Sequence, residues 1–175
     1  MAKTLTADDR LRIVEDKLTI YNIIASHPPS ADTGSDNYGR HAYADDGVID
    51  LGGGKGARGN DAIAQVVRKP EHLAAIEGGL AHFCGLPYVE VDGDTATATS
   101  YLQVITPDPH GDPVDVPNHG TSKGYRIHRL GANRWEFKRT AGGWKVTKRM
   151  YRQLDGTQEA RDILRQAVAH IGGGR

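Results

Sequence analysis

The chain has a single cysteine, Cys84, so no internal disulfide can form and a reducing compartment is the simpler reading. No apolar run approaches the ~20 residues of a membrane-spanning helix. The opening residues, "MAKTLTADDRLRIVEDK", are charged from the start and hold no signal-peptide core. A cytoplasmic protein with no membrane partner is therefore expected. Neither sign of charge is in excess, with 22 Lys and Arg against 22 Asp and Glu. That balance removes the electrostatic reason for a nucleic-acid partner. Eight histidines are many, but none falls in HxH, HExxH or a paired Cys/His spacing, and no metal is expected. Gly52-Gly53-Gly54 lacks both the Walker spacing and the GxGxxG order, so it reads as a flexible turn. Internal repeats are lacking as well.

At 175 residues the chain suits one domain, 1–175, able to bury a substantial core. Residues 7–25 place Leu11, Val14, Leu18, Tyr21 and Ile24 at three- and four-residue steps, which predicts an amphipathic helix. Thr6 suits its N-cap, Asp8 and Asp9 the positive end of its dipole, and Pro28-Pro29 its stop. A polar loop, "SADTGSD", leads to a short helix near 37–44, then to a brief strand and a glycine-rich turn in "DDGVIDLGGG". Two more helical pieces, "NDAIAQVV" and "PEHLAAIE", precede a change of character at Leu80. From there to Leu154 the chain alternates as strands do. "LAHFCGLPYVEV" meets "TATATSYLQVI" across the Asp92-Gly93-Asp94 turn. "PDPHGDPVDVPN" is a polar connection, and Gly131-Ala132 reads as a bulge or bend between "HGTSKGYRIHRL" and "NRWEFKRT". A last helix covers about 157–171. Helices first and an antiparallel meander after make an α+β arrangement, a curved antiparallel sheet covered by the leading helices. Such a sheet forms a cone with an apolar interior, a typical small-molecule site.

His82 heads an apolar strand, a poor place for an imidazole unless something pairs with it. The order of "YADDGVIDL" (43–51), "AHFCGLPYVEVDGDTATATSYLQV" (81–104) and "ANRWEFKRTAGGWKVTKRMYRQLDG" (132–156), with Tyr21 and the Asp32/Asp36 pair ahead of them, resembles the SnoaL-like branch of the nuclear transport factor 2-like superfamily. The resemblance spans about 7–156. It implies a cone-shaped barrel whose catalytic members use a His–Asp pair, with His82 at the histidine position. It also implies a homodimer or homotrimer, for which "NRWEFK" and "WKVTKRMY" are candidate faces. Counting back from "YADD" puts Asp32 at the acidic position. The inserted "HPPSAD" after the first helix leaves Asp36 as its alternative.

His82 as base and Asp32 as its orienting carboxylate would suit proton abstraction followed by loss of water, halide or another leaving group. Tyr21, Tyr43 and Tyr101 are candidate hydroxyl donors. Asn133 either donates to a substrate carbonyl or pins the adjacent bend. His27 stands near the inserted loop, at the expected cavity mouth. His119 is a candidate second polar group, with a solvated strand as the plainer account. Cys84 lies two residues from His82, about 6–7 Å along one strand, which favours a buried apolar cysteine over a Cys–His nucleophile. The expected function is a lyase of dehydratase, isomerase or retro-aldol type, working without a cofactor on an apolar, aromatic or polycyclic small molecule. The alternatives are a polyketide-type cyclase and a non-catalytic binding or accessory protein on the same fold.

Overall fold

The computed structural model describes residues 5–169 and 171. Five helices lead or interrupt the first half: α1 (Ala7–Ala25), α2 (His27–Asp32), α3 (Asn37–Ala42), α4 (Asn60–Val66) and α5 (Pro70–Glu77). The hairpin β1 (Tyr43–Gly52) and β2 (Lys55–Arg58) lies between α3 and α4. The second half runs β3 (Ala81–Cys84), β4 (Tyr88–Asp92), β5 (Thr95–Pro107), β6 (Val114–Val116), β7 (Gly120–Ser122), β8 (Tyr125–Thr140), β9 (Gly143–Gln153) and α6 (Gln158–Val168). The main sheet has the order β2-β1-β9-β8-β5-β3, with β4 also on β5. Its pairings are antiparallel except that of β1 with β9, which is parallel. Among the described residues no helix is long and apolar enough to cross a membrane.

The Thr6 cap forms as expected, its hydroxyl accepting from the Asp9 backbone while Asp9 accepts from Thr6. The buried face of α1 is not the expected one. Asp16, Ile20 and Ile24 are buried, whereas Leu11, Val14 and Leu18 are more than half exposed. The inward face is satisfied rather than apolar throughout. Asp16 accepts from Trp144 Nε1 at 3.0 Å and pairs with Arg139, so its carboxylate meets donors when buried. Burial would raise the Asp16 pKa, but those partners win and hold it below the ordinary value.

The prolines also act differently from expectation. The first helix ends at Ala25, and Pro28 and Pro29 occupy the opening turn of α2, where a missing N–H costs nothing. The inserted "HPPSAD" is thus a helix rather than part of a loop. "LAHFCGLPYVEV" is two strands, broken at Gly85–Pro87, and both pair with β5: β3 against its second half, β4 against its first. The polar connection holds a small hairpin of its own, β6 with β7.

β8 runs as one strand through Gly131, and its irregularity falls earlier, at His128, which is extra between Ile127 and Arg129. Glycine is needed at Gly131 because a Cβ would lie 2.3 Å from Tyr151 Cε2. The irregularity that matters is on β9. Glu136 pairs with Lys148 and Phe137 with Val146, so Thr147 is an extra residue. The bulge shifts the alternation, and Arg149 and Tyr151 turn inward with Trp144 and Val146. The core gathers Ile20, Ile24, Tyr43, Ile49, Trp135, Phe137, Trp144 and Val146 beneath the helices. The aromatics Trp135, Phe137 and Trp144 of "NRWEFK" and "WKVTKRMY" are therefore core. The outer face of the sheet carries Phe83, Tyr101, Tyr125 and Ile127.

Candidate active site

Two short elements meet to form the site. Helix α2 holds His27 at its first position and Asp32 at its last, and β3 brings His82 against it. Both oxygens of Asp32 accept the His82 backbone N–H at 3.0 Å, and Oδ1 accepts from His82 Nδ1 at 2.6 Å. One carboxylate thus fixes the strand and the ring together. Because Nδ1 carries the donated proton, the neutral ring keeps its lone pair on Nε2. The side chains of His82 and Asp32 are 14% and 26% exposed. Burial pushes the His82 pKa down, Asp32 draws it up, and Arg149 and His72 lower it further, leaving it below the ordinary histidine value.

His82 borders a cavity of about 170 Å³, close to the ~150 Å³ that accommodates a benzene ring. Ile49, Leu51, Ile63, Val66, Val67 and Leu102 supply its apolar wall. Of the residues expected from sequence, His82, His27 and Tyr43 line it. His27 is buried, not at an open mouth; its Nε2 has no hydrogen-bond partner, and its ring lies 6.1 Å from that of His82. Burial, with Arg149 next, holds His27 well below the ordinary pKa and so uncharged. The Tyr43 hydroxyl is buried near Arg149 without a hydrogen bond of good geometry, and burial raises its pKa.

Other expected residues stand elsewhere. Asp36 is turned away into an ion pair with Arg40 at 2.9 Å, so Asp32 alone of the two acids meets His82. Asn133 is fully buried but behind the lining, where its Oδ1 accepts from Arg149 Nε at 3.2 Å. Tyr21 packs on the core and does not line the cavity. Tyr101 points out of the sheet, facing a surface groove beside α6. His119 is exposed at the tip of the β6–β7 hairpin. Cys84 is half-buried outside the lining, and burial raises its thiol pKa, which keeps it protonated.

Other residues of the lining were not singled out in the sequence. His72 on α5 donates from Nε2 to the Ala31 carbonyl at 2.8 Å, and its ring lies 6.0 Å from His82. Tyr38 comes from α3, and Arg149 and Tyr151 from β9. Arg149 is 3% exposed, with its guanidinium over the Trp135 ring at 4.7 Å. Although three histidines gather here, no group of three His, Cys, Asp or Glu among the described residues is arranged to hold a metal ion.

A curved, mostly antiparallel sheet closed by helices over a pocket is the nuclear transport factor 2-like architecture. Residues 12–150 match the SnoaL-like domain, and the chain belongs to that family. An NTF2-like protein with a cystatin-like fold from Novosphingobium aromaticivorans is 34% identical, covering 94% of this chain and 98% of its own, with a TM-score of 0.79. A hexachlorocyclohexane dehydrochlorinase from Novosphingobium barchaimii shares the fold at 14% identity and TM-score 0.64, covering 83% of this chain and 90% of its own. A candidate scytalone dehydratase from Novosphingobium aromaticivorans does so at 16% and 0.59, covering 85% and 88%. No curated protein matches the chain.

Proposed function

We propose that the chain is a lyase that removes a proton and a leaving group from a small ring compound, using its own side chains for the acid–base work. The observation that carries this is the 2.6 Å contact from His82 Nδ1 to Asp32 at the wall of a cavity with a largely apolar lining. In the proposed step, His82 Nε2 takes a proton from carbon, and Asp32 stabilises the imidazolium that forms. The leaving oxygen or halide departs from the neighbouring carbon as the double bond closes. Tyr43, which lines the cavity and is kept protonated by burial, is the proposed donor to it. A cavity of about 170 Å³ favours a single ring over a polycyclic substrate. Two fold relatives, the dehydrochlorinase and the candidate scytalone dehydratase, bear names of the same reaction class and support this reading.

The test is a panel of six-membered ring compounds carrying an acidic C–H beside a hydroxyl or halide. Product formation, halide release and deuterium uptake from solvent are followed for the wild type, His82→Gln and Asp32→Asn. His82→Gln is expected to lose about 10²–10⁴-fold in rate while staying folded. Asp32→Asn should lose at least about tenfold. Turnover that survives His82→Gln contradicts the proposal, as does a panel bound without chemistry.

A further inference from the structure

The cavity that His82 borders carries a charge imbalance that proton transfer does not explain. Two guanidinium groups line it, Arg149 deep and Arg129 at an exposed position on β8, and no Asp or Glu among the described residues does. Composition is not the cause, since the chain has as many acids as bases. Arg149 is buried against neutral groups, the Asn133 amide oxygen, the Trp135 ring face and the nearby Tyr43 hydroxyl. A guanidinium does not shed its proton in a protein, and burying one without a counter-anion costs several kcal/mol. Around it, Tyr38, Tyr43 and Tyr151 line the cavity, and their buried hydroxyls have no hydrogen bond of good geometry. Unpaired buried hydroxyls beside an unpaired buried guanidinium are a set of donors awaiting an acceptor. A carboxylate supplies two oxygens and about four acceptor sites, and arginine's fork matches it in two parallel bonds.

We propose that the ligand of this cavity is a single-ring carboxylic acid, its carboxylate held by Arg149 and the hydroxyls of Tyr38 and Tyr151 and its ring set on the aliphatic wall. The exposed Arg129 draws the anion to the entrance. This deepens the reading of the cavity as a substrate site and rests on it, but it does not rest on His82 being the base. It gives the proposed lyase a substrate class: a cyclic acid in which the carboxylate is bound and the proton and leaving group come from the ring.

The experiment is calorimetric titration of the full chain at pH 7.5 with benzoate and with its neutral isostere benzamide. Benzoate is expected to bind at least tenfold more tightly. The preference should fall below about threefold in Arg149→Gln and persist in His82→Gln. Arg129→Gln should keep the preference while weakening its salt dependence. Equal or tighter binding of benzamide overturns the proposal. So does failure of benzoate to bind up to 10 mM, or a preference undiminished in Arg149→Gln. Should Arg149→Gln fail to fold, the wild-type comparison decides by itself, and Arg149→Lys, which keeps charge without the fork, is expected to retain only part of the preference. The two proposals fail separately. Benzamide matching benzoate while His82→Gln is inactive removes only the anion assignment; benzoate preferred while His82→Gln still turns over removes only the lyase.

Discussion

Asp32 holds two donors of a single residue, the backbone N–H and Nδ1 of His82, and so sets ring orientation and tautomer in one contact. His27 and His82 both have pKa values lowered by burial, His27 the more strongly. The unfolded chain, with histidines near 6.5, therefore binds these protons first as pH falls. It carries more protons than the folded state below that value, so stability is full above about pH 6.5 and is lost on acidification. The slope per group is at most about 1.4 kcal/mol per pH unit. Denaturant titrations at pH 7.5 and 5.5 are expected to show the wild type losing more stability than His27→Gln, and equal losses would contradict a neutral buried His27. The His82–Asp32 pair was legible because an imidazole heading an apolar strand demands a partner, and the family's order of segments supplied one. His72, Tyr38 and Arg149 were not, because nothing in local spacing says which residues three separate elements bring to one wall.

At the scale of elements, the sequence misled where a local rule had two solutions. Helix α1 carries two stripes at helical spacing. The buried one contains Asp16, which a purely apolar criterion passes over although Trp144 and Arg139 satisfy it. The prolines stop one helix by opening the next. Alternation counted along β9 from Trp144 would turn Lys148 inward; the bulge at Thr147 turns Arg149 inward instead. Gly131 is the counterpart of that change, because it makes room for the Tyr151 ring. Gly131→Ala is expected to cost about 1–3 kcal/mol by overpacking and to displace the ring from the cavity wall. An unchanged denaturation midpoint would show that Tyr151 moves aside freely.

For the whole molecule, the class of fold was readable because helices led and strands followed, and because the apolar pattern changed period at Leu80. The parallel pairing of β1 with β9 was not readable, since the two strands lie far apart in sequence and both alternate in the same way. Sheet and helices together shape a cavity bordered by a neutral imidazole with a carboxylate behind it and by a buried guanidinium. The claim most in need of a direct check is the protonation state of that imidazole. Long-range proton–nitrogen NMR of the nitrogen-labelled chain reads it, with His82 assigned by its loss in His82→Gln. At pH 7.5 the expected result is a neutral ring with its proton on Nδ1, a state lost in Asp32→Asn. A proton on Nε2, or a doubly protonated ring at that pH, would leave His82 no lone pair for the cavity and contradict the account.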